Sequence, residues 1–209
     1  MGGAMEIWPV IHSERKALAS ELGSLQDDQW STTSLCTDWT VRDVLAHMTA
    51  TAKMSAPAFF VRLAGSGFNF ENVQNKGIAA EKGASPADTL GRFEAIVTST
   101  GRPPGPLDTI LGETIVHSED IRRPLGLRHA YPTDALVQTA NFFKGSNLII
   151  GTKRRITGLK FRATDTEWST GDGPEVSGPM LALLMAMTGR KPAAGELTGD
   201  GVETLTSRP

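Results

Sequence analysis

Three residues of this 209-residue chain have the types and spacing to hold a metal ion: His47, Glu113 and His117. The run Glu113-Thr114-Ile115-Val116-His117 sets a carboxylate and an imidazole four residues apart. On a helix that spacing puts both on one face, about one turn from each other. His47 lies in Leu45-Ala46-His47-Met48, with Val44, Ala50 and Thr51 as neighbours in the helical frame, near the buried face. One imidazole from one helix and a Glu/His pair from another supply three N/O donors. Zinc accepts that set and keeps a fourth position for water or substrate. Nickel, cobalt, iron and manganese fit it as well. The same residues also have plainer readings, an i,i+4 hydrogen bond for Glu113/His117 and a satisfied core histidine for His47, and spacing alone leaves the choice open.

The elements that must position these groups are mostly helical. Ile7, Val10, Ile11, Ala17, Leu18, Leu22 and Leu25 recur at helical spacing over 6–26. The polar stretch 30–38 reads as a loop. Thr40 then caps a second helix, with Asp43 three residues on completing a capping box, and Val41, Val44, Leu45, Met48 and Ala52 form its buried face. The Gly- and Asn-rich segment 65–85 reads as a loop or broken helix. Ser85-Pro86 opens a third helix, Gly101 to Pro106 interrupts the chain, and a fourth helix runs from about Asp108 to Leu125, closed by Gly126. A further helix spans 133–145. Leu159 to Thr164 then alternates as a strand does, with a second short strand near Trp168, an apolar helix over 176–188 stopped by Gly189, and a last short strand around Leu197 and 202–205. The expected fold is mainly α, with a metal-binding helical bundle over 6–147 and a small α/β C-terminal domain over 156–209.

Composition narrows the function classes. A net charge of −2 lacks the basic footprint of a nucleic-acid binder. The single cysteine, Cys36, excludes an internal disulfide and suits a reducing cytoplasm. No apolar run approaches the roughly 20 residues that cross a bilayer. The N-terminus lacks a signal-peptide pattern, and Met1-Gly2-Gly3-Ala4 reads as a flexible start ahead of Met5.

Two stretches carry a family resemblance. Cys36-Thr37-Asp38-Trp39-Thr40-Val41-Arg42-Asp43-Val44-Leu45-Ala46-His47 resembles the Cys-x-x-Trp-x-Val-x-Asp-x-x-x-His stretch of mycothiol-dependent maleylpyruvate isomerase-like proteins. These belong to the wider DinB/YfiT-like superfamily of metal-binding bundles. The run from Glu113 to Gly126 resembles that group's Glu-x-x-x-His-x-x-Asp helix, and 165–190 and 197–201 are similar to its C-terminal portion. The resemblance implies a four-helix DinB-like core in which His47, Glu113 and His117 ligate a divalent metal, zinc foremost, with an open position for a thiol such as mycothiol or a substrate oxygen.

Other residues take plainer expectations. Asp43 is expected as a capping carboxylate rather than a partner of His47. Asp120 is expected to pair with Arg123 or Arg42, with support of a metal-binding histidine as its alternative, Trp39 to anchor the core, Cys36 to be a small core residue, and His12 and His129 to be surface groups. Arg190, after the apolar C-terminal helix, is the candidate catalytic residue, a guanidinium suited to a substrate carboxylate; a helix-terminal arginine is its alternative. The resulting expectation is a metal-dependent isomerase or S-transferase acting on a small electrophile with a small thiol, without nucleic-acid or membrane partners. A metal-binding module of the same fold without turnover is the alternative, and homodimer formation is left open.

Overall fold

The helix that carries His47 begins where its cap residues dictate. In the computed structural model, which describes residues 5–36, 38–147 and 150–208, Thr40 is the N-cap of α2 (Val41–Ala52). Asp43 N donates to Thr40 Oγ1 at 3.2 Å, and Asp43 Oδ2 accepts from Thr40 N at 3.0 Å. Lys82 Nζ lies 2.6 Å from Asp43 Oδ1. Burial alone would raise the Asp43 pKa, but the Lys82 and Thr40 hydrogen bonds outweigh it and hold the carboxyl below its usual range. Asp43 is therefore a capping and ion-pairing residue. Thr40→Ala is expected to cost about 1 kcal/mol, readable as a lowered urea midpoint at unchanged slope. Met1–Ala4, with the start read as flexible, and Thr37 of the Cys36–His47 motif lie outside the described residues, as do Leu148, Ile149 and Pro209.

The chain divides into two units, Glu6–His129 and a second formed mainly by Ala130–Pro209. In the first, α1 (Ile7–Leu22), α2, α5 (Pro86–Glu94) and α6 (Leu107–Arg122) form a closed ring of contacts, α1 on α6, α6 on α2, α2 on α5 and α5 on α1. This is the expected four-helix bundle. Its core joins Leu18 and Leu22 of α1, Val41, Val44, Leu45 and Met48 of α2, Phe93 of α5 and Ile121 of α6. The short 3-10 segment Asp27–Ser31 adds Trp30, where a loop was expected.

The segment 65–85 takes the broken-helix form of the two expected. Most of it is helix α4 (Phe70–Glu81), capped by Asn69 and packed on α2 through Val73, Gly77 and Ile78, and it follows α3 (Ala56–Ala64). At Gly77 an added Cβ would stand 3.1 Å from Ala50 Cβ. Gly77 is a close-packing residue between helices, and α3 meanwhile presents Phe60 and Val61 to solvent.

In the second unit α7 (Thr133–Phe143) packs on α9 (Met180–Met187), so the helix expected to close the bundle domain belongs to the C-terminal unit. A helix α8 (Thr152–Ile156), not foreseen from sequence, also packs on α9. The sheet has order β2-β1-β3, with β1 (Lys160–Ala163) antiparallel to β2 (Ser169–Thr170) and parallel to β3 (Glu175–Gly178). The helix expected over 176–188 is thus shortened from its front. Pro179 separates β3 from α9, and α9 is apolar all round because it is buried all round. The strand expected at 202–205 is instead α10 (Val202–Ser207), while Thr198 makes one bridge to Ser177. No helix among the described residues is long and apolar enough to cross a membrane.

Candidate metal centre

The three expected ligands converge in the first unit. His47 projects from the second turn of the capped helix α2. Glu113 and His117 project from α6, which packs against α2. His47 Nε2 lies 3.9 Å from Glu113 Oε1, and the His47 and His117 rings meet edge to face with centroids 5.0 Å apart. Their side chains are largely buried, at 12%, 11% and 14% exposed.

Glu113 is the telling residue. Neither of its carboxylate oxygens has a hydrogen-bond partner at bonding distance, although both are buried. A buried carboxylate without partners is costly. Burial raises its pKa, opposed by the charges of His117 and Arg15 and by Thr51. Arg15 of α1 is itself fully buried. Its Nη1 donates to the Ser99 carbonyl at 3.1 Å, while Nε and Nη2 find no partner. Burial lowers the Arg15 pKa and Glu113 opposes that, so a buried cation backs the carboxylate from α1.

His47 is held neutral. Burial first, then the neighbouring His117 charge, push its pKa down to about 3 against a partial upward pull from Asp120. A neutral imidazole is the form that ligates metal. The sign of the pH effect follows. With a folded pKa below the ordinary 6.5, the His47 contribution to stability is intact above pH 6.5 and is lost as pH falls from there towards 3. The metal-free chain should therefore weaken on acidification below pH 6.5, at up to about 1.4 kcal/mol per pH unit from this group. Chemical denaturation at pH 7, 6 and 5 measures it, and His47→Gln should flatten the slope.

Asp120 takes the alternative of its two expected roles. Rather than Arg123 or Arg42, its Oδ2 meets His117 Nδ1 at 2.9 Å, with the Asp120 side chain fully buried. Arg123 pairs with Glu119 at 2.8 Å, and Arg42 donates to Thr89 and to the Lys82 and Gly83 carbonyls. An Nδ1–H donated to Asp120 leaves the His117 Nε2 lone pair for an ion and fixes the ring, the usual support of a metal-binding histidine. Asp120→Asn should lower affinity for a divalent ion about 10–100-fold, read by chelator competition, with little change in helix content.

Two residues of the 33–40 loop also reach the site. Ser34 N donates to Trp39 O at 2.9 Å, Trp39 N to Cys36 O at 3.1 Å, and Leu35 N to Asp120 O at 3.1 Å. This tight loop lays Trp39 over both imidazoles, 4.9 Å from His47 and 6.3 Å from His117 between ring centroids. Trp39 therefore covers the site as well as packing on the core. Cys36, expected as a core residue, is half-buried, and its sulfur, a His117 nitrogen and an Asp120 oxygen lie within 4.8 Å of one another. Among the described residues this is the one group of three such donors within that distance; the His47, Glu113 and His117 atoms do not close to it as a trio. Tetrahedral zinc requires donors within about 3.5 Å of one another, so holding an ion through the trio involves rotation of at least one side chain.

Nothing in the sequence spacing marked Cys36, because a loop hydrogen bond to α6 brings it in. Asp120 had a signal, since a carboxylate three residues after a histidine shares its helix face. The other histidines are not simple surface groups. His129 Nε2 lies 2.7 Å from Glu14 Oε2 and its Nδ1 3.4 Å from Glu21 Oε1, while Glu21 also pairs with Arg122. His12 stacks on Trp8 with centroids 5.6 Å apart. Arg190 lies in the second unit, just past α9, where its Nη1 donates to the Thr188 carbonyl at 2.9 Å.

The bundle brings His47, Glu113 and His117 to one place on α2 and α6. Residues 11–104 match the family model of the mycothiol maleylpyruvate isomerase N-terminal domain. Among solved structures it is similar to a histidine-to-alanine variant of the mycothiol-dependent maleylpyruvate isomerase. There the TM-score is 0.64 at 16% identity, over 93% of this chain and 91% of that one. A second crystal structure of mycothiol-dependent maleylpyruvate isomerase gives a TM-score of 0.60 at the same identity and coverage. These likenesses establish the fold. No curated protein sequence matches this chain.

Proposed function

We propose that the bundle holds one divalent ion, zinc foremost, through His47, Glu113 and His117, and that the site activates a low-molecular-weight thiol such as mycothiol against a small electrophile. The observation that carries this reading is the partnerless Glu113 carboxylate beside two imidazoles, a donor set that fits a borderline cation and is costly without one. When bound, the ion supplies the positive charge that lowers the pKa of a thiol or water at its open position. The chain's own residues do the rest. Asp120 fixes the His117 ring, His47 stays neutral under burial, and Trp39 closes one side against water. In the isomerase version the thiolate sulfur adds to an electron-poor double bond, the resulting single bond rotates, and elimination restores the double bond and releases the thiolate. No protein nucleophile is required. Arg190, in the second unit, is proposed as a carboxylate-binding residue in its own right. The protein is expected in the cytoplasm, where small thiols stay reduced.

A second ligand set has an observation of its own, the closeness of Cys36, His117 and Asp120. Cys36→Ser separates the two, since it leaves affinity intact if Glu113 and His47 ligate and destroys it if Cys36 does. The reading as a whole is tested by incubating the metal-loaded protein with mycothiol and a cis-configured, electron-poor unsaturated diacid. Thiol-dependent conversion to the trans form, or thiol transfer to an electrophile, supports it. Metal content without thiol-dependent turnover across a panel of electrophiles refutes the enzyme reading.

A further inference from the structure

Helix α3 carries the apolar pattern of a packed helix yet buries none of its residues. Pro57, Phe60, Val61 and Ala64 fall at i, i+3, i+4 and i+7, the spacing of one apolar stripe, and all four are exposed. The other side turns Phe59 towards α4. Its ring meets that of Phe70 with centroids 6.1 Å apart, and Phe60 joins the same aromatic cluster at 5.5 Å from Phe59. We propose that this face is a two-fold interface, on which α3 of a second copy of the chain packs antiparallel.

The spacing itself favours a second copy. Phe60 follows Pro57 by three positions, as Ala64 follows Val61, so the stripe reads alike in both directions about its Phe60-Val61 centre. An axis through that centre sets Phe60 against Val61 of the partner subunit and Pro57 against Ala64 of the partner subunit. Bulky groups then meet in the middle and smaller ones at the ends. Such self-complementarity is what an isologous contact requires.

Area and charge agree with that occupant. Phe60, Val61, Phe68 and Phe70 are 60%, 72%, 74% and 61% exposed. Together they offer about 500 Å² per chain, at the upper end of what a monomer leaves open. Burying the patch on its own copy removes roughly 1,000 Å², the size at which a specific interface begins. Arg62 is the one charged residue between positions 54 and 70, whereas a helix that lies on an anionic membrane carries a basic polar face. The turn after α3 is already set. Lys76 Nζ donates to the Gly65 carbonyl at 3.0 Å and to Ser66 Oγ at 3.2 Å, and Phe68 N donates to the Leu63 carbonyl at 2.9 Å. Phe68 is held there at φ +60°, a conformation disfavoured for a bulky side chain, with its ring in solvent. A surface ordered in advance loses little freedom on association. The face uses no residue of the metal centre and does not rest on the metal reading.

Sedimentation velocity of the full chain over about 1–200 µM provides the test, since an interface of this size gives a micromolar dissociation constant. A reversible monomer–dimer equilibrium in that range is expected. Val61→Glu should raise the dissociation constant about 100-fold or more, and Ala64→Glu, at the end of the same stripe, should act alike. Both positions are exposed in the single chain, so circular dichroism and Tm should match those of the native protein. A monomer throughout the range, or a dimer that survives both substitutions in folded protein, would overturn the proposal. Flotation of a persistently monomeric protein with phosphatidylcholine–phosphatidylglycerol vesicles would overturn it as well and assign the face to lipid.

Discussion

His47→Ala is expected to lower the affinity for a divalent ion by well over 100-fold and to abolish thiol-dependent turnover while the bundle stays folded. Losing a group that merely supports a ligand costs about 10–100-fold, and losing a donor costs more. The fold should survive because the α2 residues that build the core, Val41, Val44, Leu45 and Met48, are untouched. His47 is also neutral at ordinary pH, so no ion pair is broken. Competition with a coloured chelator gives the affinity, and far-ultraviolet circular dichroism gives the fold. Unaltered affinity in a folded His47→Ala protein would exclude this residue as a ligand.

Glu113→Gln should do something a structural carboxylate would not, which is to stabilise the metal-free protein. Burial raises the Glu113 pKa above its ordinary 4.5. The stability tied to this group is therefore full below pH 4.5 and is lost as pH rises through the folded value. At pH 7 the metal-free chain carries a buried carboxylate without a hydrogen-bond partner. Replacing it with a neutral amide of the same shape should recover about 1 kcal/mol, roughly 2–4 °C in Tm. That gain should disappear near pH 4. Added zinc should raise the Tm of the native chain, since a ligand bound only by the folded state stabilises it, and should leave Glu113→Gln unmoved. The two proteins should thus exchange rank when the ion is supplied. A Glu113 whose main task was to pair with Arg15 would give the reverse result without metal.

The sequence made the bundle legible where one face of each helix is apolar and its start is chemically marked. Thr40 with Asp43 announces α2, Ser85-Pro86 announces α5, and both lie where expected. It was least legible where tertiary contact changes the meaning of a residue. The Gly- and Asn-rich stretch 65–85 looks like a loop or broken helix until Gly77 is seen against Ala50. Val176 and Ser177 look like part of an apolar helix until β1 offers them a parallel partner and Pro179 starts the helix afresh. The boundary of the first unit moves for the same reason, because α7 finds its apolar partner in α9. At the site, the residues on helices were readable by period. His47, Glu113 and His117 were singled out that way, and Asp120, in the same register, was expected first to pair with an arginine and second to support the site. Cys36 and the placement of Trp39 over two imidazoles depend on a folded loop and one hydrogen bond from Leu35 to α6, which no spacing rule encodes.

The central claim is that Glu113 and the two histidines hold an ion, and elemental analysis of protein purified without added metal tests it most directly. The account predicts about one divalent ion per native chain and almost none in a folded His117→Ala protein. Equal metal content in the two proteins, or none in either even after zinc is supplied and excess removed, would contradict it.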